Sequence, residues 1–329
     1  MRRLTTLLVA VMAIAGLVAL TAGSAAAKPR GFNGKIVTNS DNLVTGEEQV
    51  YTVDPDGTDE QLIYNNSEVG QWSPDGTRVA LVTQLGLPQV LLFNVDDGSS
   101  VYFGLPFERY PGLALFCGVW SPDGARLACE GQGETDPSRT GVYTVRASDG
   151  GDLQRVTSEP NGDDAPGDYS PNGKRLLITK FVFDPCCTAG LFTVRTDGTG
   201  LRRILPEGMD FRFGSGSWSP QGNEIVFSSR FPNEDYHSSI WVVHSDGTGL
   251  RQLPIAGPCG GLNADPTTIG CFNPIWSPDG KKIVFGRNAD DDQRDLYTVN
   301  ADGSGLFQVT HTPNVSEFNG DWGTHPLTP

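Results

Sequence analysis

The 329-residue chain is short of positive charge, of histidine and of long apolar runs. It sets 24 Lys and Arg against 39 Asp and Glu, a formal charge of −15 at pH 7. That deficit argues against a nucleic acid or an anionic membrane surface as the main partner, and favours cations or basic partners. The four histidines (His237, His244, His311 and His325) show no paired metal spacing, so none is read as a metal ligand. No Gly-x-Ser-x-Gly elbow, phosphate-cradling loop, dinucleotide fingerprint or zinc helix occurs, which removes the enzyme classes built on them. Beyond residue 20 no apolar stretch approaches membrane length.

Glycine and proline are plentiful, at 41 and 23 residues. Both disfavour helices, so an ordinary helical enzyme is excluded. With 37% hydrophobic residues the chain still has enough apolar material for a core. At the N-terminus, Arg2 and Arg3 precede the apolar run Leu7 to Leu20, and Ser24-Ala25-Ala26-Ala27 supplies the small residues of a cleavage site. Residues 1–27 are therefore read as a secretory signal peptide, in preference to an uncleaved anchor. Cleavage near Ala27 takes the formal charge from −15 to −17, because Arg2 and Arg3 leave with it. The expected product is a secreted, periplasmic or envelope-associated monomer whose mature chain does not insert into the membrane.

Internal repeats set the fold. Trp72-Ser-Pro-Asp-Gly returns as Trp120-Ser-Pro-Asp-Gly, Tyr169-Ser-Pro-Asn-Gly, Trp218-Ser-Pro-Gln-Gly and Trp276-Ser-Pro-Asp-Gly, at spacings of 48, 49, 49 and 58 residues. Each is followed by a β-rich run such as Val79 to Val82 or Ile283 to Phe285, which predicts a hairpin. A second signature, an aromatic run such as Tyr143-Thr-Val or Tyr297-Thr-Val followed by Asp-Gly, occurs six times, with Asp56, Asp97, Asp149, Asp197, Asp246 and Asp302 opening the turns. Two hairpins per period give four strands, the blade of a β-propeller. The sixth copy of the first hairpin is split between the termini, with Asn33-Gly-Lys-Ile-Val supplying its turn and second strand and Gly320-Asp-Trp322 its first. Residues 28–329 are thus expected to form one all-β domain: a six-bladed β-propeller of four-stranded antiparallel blades, its ring closed by pairing of the N- and C-terminal strands.

Trp276-Ser-Pro-Asp-Gly-Lys-Lys-Ile-Val-Phe followed by Leu296-Tyr-Thr-Val-Asn-Ala-Asp-Gly resembles the repeat of the TolB-type, WD-repeat-like propellers. The resemblance runs through all six periods and implies the propeller fold. Relatives of this pattern include a periplasmic protein-interaction component of a cell-envelope system and the propeller domains of prolyl peptidases. Some carry a further N-terminal domain, for which the stretch from Lys28 to Asn33 leaves no room. With no nucleophile elbow, the hydrolase domain of the peptidases is not expected either.

In a four-stranded meander the first and third turns share one face. Here those turns are short and stereotyped, so variation gathers on the opposite face: Thr83 to Gln89, Glu130 to Gly141, Lys180 to Gly190, Arg230 to Ser239, Arg287 to Asp295, and the connections 104–116, 157–166, 206–215 and 254–274. Function gathers on variable loops held by a rigid scaffold. By register with the aromatic residue, Gln71, Asp168, Ser217, Asn273, Asn319 and Asp321 are channel-mouth ligand candidates. Two readings compete for them: groups that cap channel water and hold blades together, or a pocket for a small ligand or cation. Asp290-Asp291-Asp292 with Asp295, and Glu234-Asp235, offer oxygens for Ca²⁺, but without the spacing of a calcium loop they read better as solvated acid. No other cofactor is expected. A carbohydrate platform would draw on Tyr110, Phe181, Phe183, Phe231 and Tyr236.

Six cysteines in a secreted chain favour disulfides. Cys117 and Cys129 flank one hairpin symmetrically, and Cys259 and Cys271 bracket the insertion that lengthens one period. Cys186 and Cys187 are left as a vicinal pair, two free thiols or an intermolecular link. The expected function is a non-catalytic scaffold that binds an extracellular or envelope protein or peptide through its long-loop face. The alternative is a propeller hydrolase or lyase, or a binder of a small ligand or cation, working from polar groups at the channel mouth; catalytic residues drawn from separate blades leave no local motif.

Overall fold

A computed structural model describes residues 31–83, 89–103, 109–182, 188–206, 209, 216–229, 238–256, 259, 270–288 and 293–327. Residues 1–27, read above as a signal peptide, and Cys186, Cys187, Asp290 to Asp292, Glu234, Asp235, His237, Phe183, Phe231 and Tyr236 lie outside the described residues, as does the side chain of Asn319.

Six four-stranded antiparallel sheets form the molecule. Blade 1 joins β1 (Ile36–Asn42), β2 (Glu48–Val53) and β3 (Gln61–Asn65) to the last strand, β24 (Val315–Trp322), which lies innermost. Blade 2 holds β4 (Ser67–Trp72), β5 (Arg78–Thr83), β6 (Gln89–Asn94) and β7 (Ser100–Tyr102). Blade 3 holds β8 (Leu113–Trp120), β9 (Arg126–Gly133), β10 (Gly141–Arg146) and β11 (Gln154–Arg155). Blade 4 holds β12 (Gly162–Tyr169), β13 (Arg175–Val182), β14 (Thr188–Arg195) and β15 (Arg202–Arg203). Blade 5 holds β16 (Gly216–Trp218), β17 (Glu224–Ser229), β18 (Ser239–His244) and β19 (Arg251–Gln252), and blade 6 holds β20 (Cys271–Trp276), β21 (Lys282–Asn288), β22 (Arg294–Asn300) and β23 (Phe307–Gln308). Each first-listed inner strand touches the next, and β20 touches β24, so the ring is closed. Closure is antiparallel, with Ile36 opposite Trp322 and Asn42 opposite Val315.

The turn chemistry explains the repeat. Ser73 Oγ accepts from Arg78 N at 2.9 Å and donates to Asp75 Oδ1 at 2.6 Å, while the same Oδ1 takes Thr77 N at 3.0 Å. Ser121 with Asp123, Ser170 with Asn172 and Ser277 with Asp279 repeat this arrangement. In the Asp-Gly turns the aspartate takes the backbone N–H two residues on, as Asp56 does from Thr58 at 3.0 Å and Asp197 from Thr199 at 2.9 Å. Such a carboxylate organises its own hairpin.

Both faces of every blade are covered, so alternate residues of one strand enter two different seams. Val79, Leu81 and Leu91 pack with Trp72 against Val37 and Val50 of blade 1, whereas Ala80, Val90 and Leu92 pack against Leu113, Leu115 and Trp120 of blade 3. Six such clusters fill the six seams. Each contains the aromatic residue that opens the Ser-Pro turn, from Trp72 through Trp120, Tyr169, Trp218 and Trp276 to Trp322, all buried. Near the axis the inner strands converge so closely that a Cβ on Gly70 would stand 2.5 Å from the carbonyl oxygen of Gly118, which leaves no room for any side chain there.

The structure shortens several loops. β8 begins at Leu113 and β12 at Gly162, inside the expected connections 104–116 and 157–166; β9 runs on to Gly133 and β13 to Val182. Those segments lack an alternating apolar pattern, but their backbones pair in register, as in Leu113 with Gly133 and Gly162 with Val182.

Among the described residues two disulfides are formed, Cys117–Cys129 across the β8–β9 ladder and Cys259–Cys271 at the entry to blade 6. The second closes a separation of 12 residues. Replacing both Cys259 and Cys271 by Ser is expected to lower unfolding stability by about 2–3 kcal/mol in urea titrations, the loop-closure contribution of a bridge of this size; an unchanged midpoint would show that the insertion needs no tether.

Candidate functional site

The central channel has a wide end on the long-loop face and a narrow end on the short-turn face. The wide end is a cavity of ≈ 220 Å³ lined by Glu68, Gln71, Phe116, Glu130, Asn273 and Asp321 among others. The narrow end is a space of only ≈ 30 Å³ among Trp72, Trp120, Tyr169, Trp322 and Thr324, room for about one water. Gln71 and Asp321 line both, and so mark the waist. There Gln71 Nε2 donates across the axis to the carbonyl of Gly167 at 3.3 Å.

Four of the six channel candidates stand immediately before the aromatic residue of their strand, and all four clasp neighbouring blades, three through their side chains and Gln71 through its backbone carbonyl. Asp321 Oδ2 accepts from Trp72 N at 2.8 Å, and Asp168 Oδ2 from Trp218 N at 2.8 Å. Ser217 Oγ donates to Asp168 Oδ2 at 3.3 Å and accepts from Trp276 N at 3.5 Å. Gln71 offers its carbonyl to Trp120 Nε1 at 3.2 Å. In each case one blade satisfies an N–H of the next. Asn273 lies in the left-handed region (φ 49°) at the bulge between Phe272 and Ile275, and lines the wide cavity. Asn319 belongs to β24.

The reactive character of the channel lies higher, in carboxylates that sequence reasoning did not select. Glu68 follows Ser67 in β4 and Glu130 lies within β9, both lining the cavity, and Asp163 and Asp164 follow Gly162 in β12. Burial, reinforced by the charges of Asp163, Asp164 and Glu68, pushes the Glu130 carboxyl above its usual range, against the pull of the Gln132 amide. Burial and Asp164 raise Asp163 likewise. Lys180 answers part of this charge, with Nζ 2.7 Å from Asp164 Oδ1 and 3.1 Å from Glu159 Oε2. The arc repels anions and attracts cations or basic side chains. Among the described residues no group of three His, Cys, Asp or Glu is placed to hold a metal ion. Nor do Tyr110 and Phe181 form a carbohydrate platform: Tyr110 donates its hydroxyl to Gly150 O at 3.2 Å, and Phe181 packs against a blade seam.

Two further groups escaped the sequence. His325 is buried, stacks on Trp72 with ring centroids 5.1 Å apart, and contacts Gly76 O through Nδ1 at 2.8 Å, so the C-terminal segment straps the narrow end. Glu317 on β24 is buried at 0% exposure. Its burial, with Asp295 and Glu60 adding repulsion and the Thr312 and Thr310 hydroxyls opposing, pushes its pKa up to about 8.

No protein-family model matches the chain, and no curated protein sequence matches it. Solved structures do. TolB from Acinetobacter baumannii superposes with a TM-score of 0.67 at 16% identity, covering 88% of this chain; this chain spans only 66% of that one. A putative TolB from Agrobacterium tumefaciens gives 0.60 at 19% identity over 90% of this chain and 93% of its own. An oligogalacturonate lyase in complex with manganese gives 0.56 at 15% identity over 81% and 71%. The molecule is therefore a closed six-bladed propeller with a polar axial channel. Within that class its fold is TolB-like.

The Glu317 carboxyl is neutral in the folded protein up to about pH 8 and ionises near 4.5 when unfolded. Its contribution is complete below about pH 4.5 and is lost as pH rises through about 8, on the order of a few kcal/mol. Glu317→Gln removes this titration, so its melting temperature is expected to gain on the wild type steadily between pH 5 and 9; parallel curves would contradict the assignment.

Proposed function

We propose that the protein is a secreted, non-catalytic binding scaffold that receives a basic segment of a protein or peptide partner at the long-loop end of its channel. The observation that carries this reading is the charge of that end: Glu68 and Glu130 from two blades line the ≈ 220 Å³ mouth, and Asp163 and Asp164 of a third stand close enough to raise the Glu130 carboxyl, with Lys180 paired to Asp164 and Glu159. Such a mouth favours a lysine or arginine head group, and the varied loops around it supply shape. Two disulfides suit an oxidising compartment outside the cytosol. The TolB-like fold is compatible with a scaffold role.

A lyase or hydrolase reading draws on the oligogalacturonate lyase neighbour. The channel carboxylates Asp168 and Asp321, first candidates for such chemistry, supply little to it. Each is held by a peptide N–H of the next blade, whereas a general acid or base must reach the substrate proton it transfers.

The test is capture from the extracellular or envelope fraction with wild type and Glu68→Gln/Glu130→Gln baits. The wild type is expected to enrich a basic partner in a salt-sensitive manner, and the double variant to retain at least threefold less. Equal recovery by the two baits would count against the acidic mouth as the binding surface.

A further inference from the structure

The short-turn face carries a second feature, independent of the mouth. Between blades 4 and 5 lies a groove of ≈ 480 Å³ bordered by Asn172, Arg175, Thr193, Arg202, Gln221 and Ser245, with Asp246 at its rim. Its volume falls within the range of small-ligand sites, roughly 300–1,000 Å³.

Comparison between blades shows how its charge arises. The residue at or just before the start of the second strand is basic in five blades (Lys35, Arg78, Arg126, Arg175 and Lys282), and in blades 1 and 3 an acid from the Asp-Gly turn neutralises it. In blade 1, Lys35 Nζ lies 2.8 Å from Asp54 Oδ1 and 2.6 Å from Asp59 Oδ2. In blade 3, Arg126 Nη1 lies 2.7 Å from Asp152 Oδ2. In blade 5 the pair is inverted, Glu224 meeting Arg251 at 2.8 Å. Asp59 and Asp152 occupy the same left-handed position after the Asp-Gly turn, with φ of 51° and 53°. In blade 4 that position is Gly200, at φ 64°, and it brings no carboxylate. Arg175 turns to neutral oxygens, with Nη2 2.8 Å from Gly200 O and 3.1 Å from Thr193 Oγ1. Two more arginines converge on it: a Cβ at Gly200 would stand 3.2 Å from Arg195 Nη1, and Arg202 borders the same groove, donating to the Asp246 carbonyl. Burial first, then the charges of Arg195 and Arg202, depress the Arg175 pKa.

The Ser-Pro turns show the same substitution of neutral residues for acids. Asp75, Asp123 and Asp279 occupy the fourth position of this turn in blades 2, 3 and 6, but the two turns that border the groove carry Asn172 and Gln221. Asp197 and Asp246 each accept two hydrogen bonds from their own turn, from Thr199 and Thr248, and their charges face Arg195 and Arg202 respectively. A chain with a formal charge of −15 thus lines one groove with two arginines and neutral amides, with Arg195 beside it and the turn carboxylate Asp246 at its rim.

From this geometry we infer that the blade 4–5 groove is a binding site for a small ligand bearing an oxyanion, a phosphate ester or a carboxylate, held by Arg175 and Arg202 with Arg195 at its edge. Guanidinium groups match such oxygens in pairs, and Asn172, Gln221 and Ser245 provide neutral donors beside them.

Calorimetric titration of the purified protein tests this, with inorganic phosphate in one arm and galacturonate in the other at matched ionic strength. Saturable binding is expected in at least one arm, and the arm that binds assigns phosphate or sugar carboxylate as the source. Gly200→Asp restores the carboxylate that blades 1 and 3 carry at this position, and should weaken binding at least about tenfold; Arg202→Gln should do the same, and serves if the first variant does not fold. Arg126→Gln, in the neutralised blade 3 pair, should bind as the wild type does. Absence of saturable binding in both arms, or full affinity in folded Gly200→Asp or Arg202→Gln, would overturn the inference.

Discussion

The pairing of β24 with β1 is the constraint on which the rest of the molecule depends. A blade has no core of its own. Its apolar residues alternate between two seams, and each seam is complete only when both neighbours are present. Without the C-terminal strand, blade 1 loses its axial wall and Trp322, and the seam to blade 6 loses a central member. The same strand contributes Asp321 to the clasp on Trp72, and leads into the segment that places His325 on the Trp72 ring. Closure also limits the exposed edges: the outermost strands of blades 3 to 6 are two residues long, too short to template another chain.

The two faces then divide the chemistry. On the short-turn side, serine hydroxyls and aspartates are committed to their own hairpins, and Lys35, Arg126 and Arg251 meet acids. On the long-loop side, carboxylates from three blades gather where the channel widens. Groups at the waist bind blade to blade, while groups at the mouth face the cavity. The acidity of the composition is therefore unevenly placed. Carboxylates line the wide end of the axis, whereas the groove between blades 4 and 5 sets Arg175 and Arg202 against Asp246 alone, with Gly200 where blades 1 and 3 carry Asp59 and Asp152.

Much of the fold was legible because it is written in local chemistry repeated at a fixed period. Trp-Ser-Pro-Asp-Gly encodes an aromatic seam residue, a serine that ties the turn and an aspartate that organises it. The split copy at Asn33-Gly34 and Asp321-Trp322 was readable by comparison with the intact ones, and so was the Cys117–Cys129 bridge across its hairpin. The channel was legible only in part. Register with the aromatic residue found Gln71, Asp168, Ser217 and Asp321, but not that all four receive N–H groups from the following blade, since this depends on how neighbouring strands converge. Glu68, Glu130 and Asp163 lie 33 to 95 residues apart and carry no motif. The side-by-side packing of blades 2, 3 and 4 brings them near one another, and no local pattern records that juxtaposition.

The account stands on a ring held shut by its own last strand, and removal of that strand tests it most directly. Denaturant unfolding of a chain ending at Asn314 should show no cooperative transition, because the loss of β24 opens two seams and the axial wall together. A cooperative transition with the midpoint of the full chain would contradict it, and would mean that the blades stand without closure.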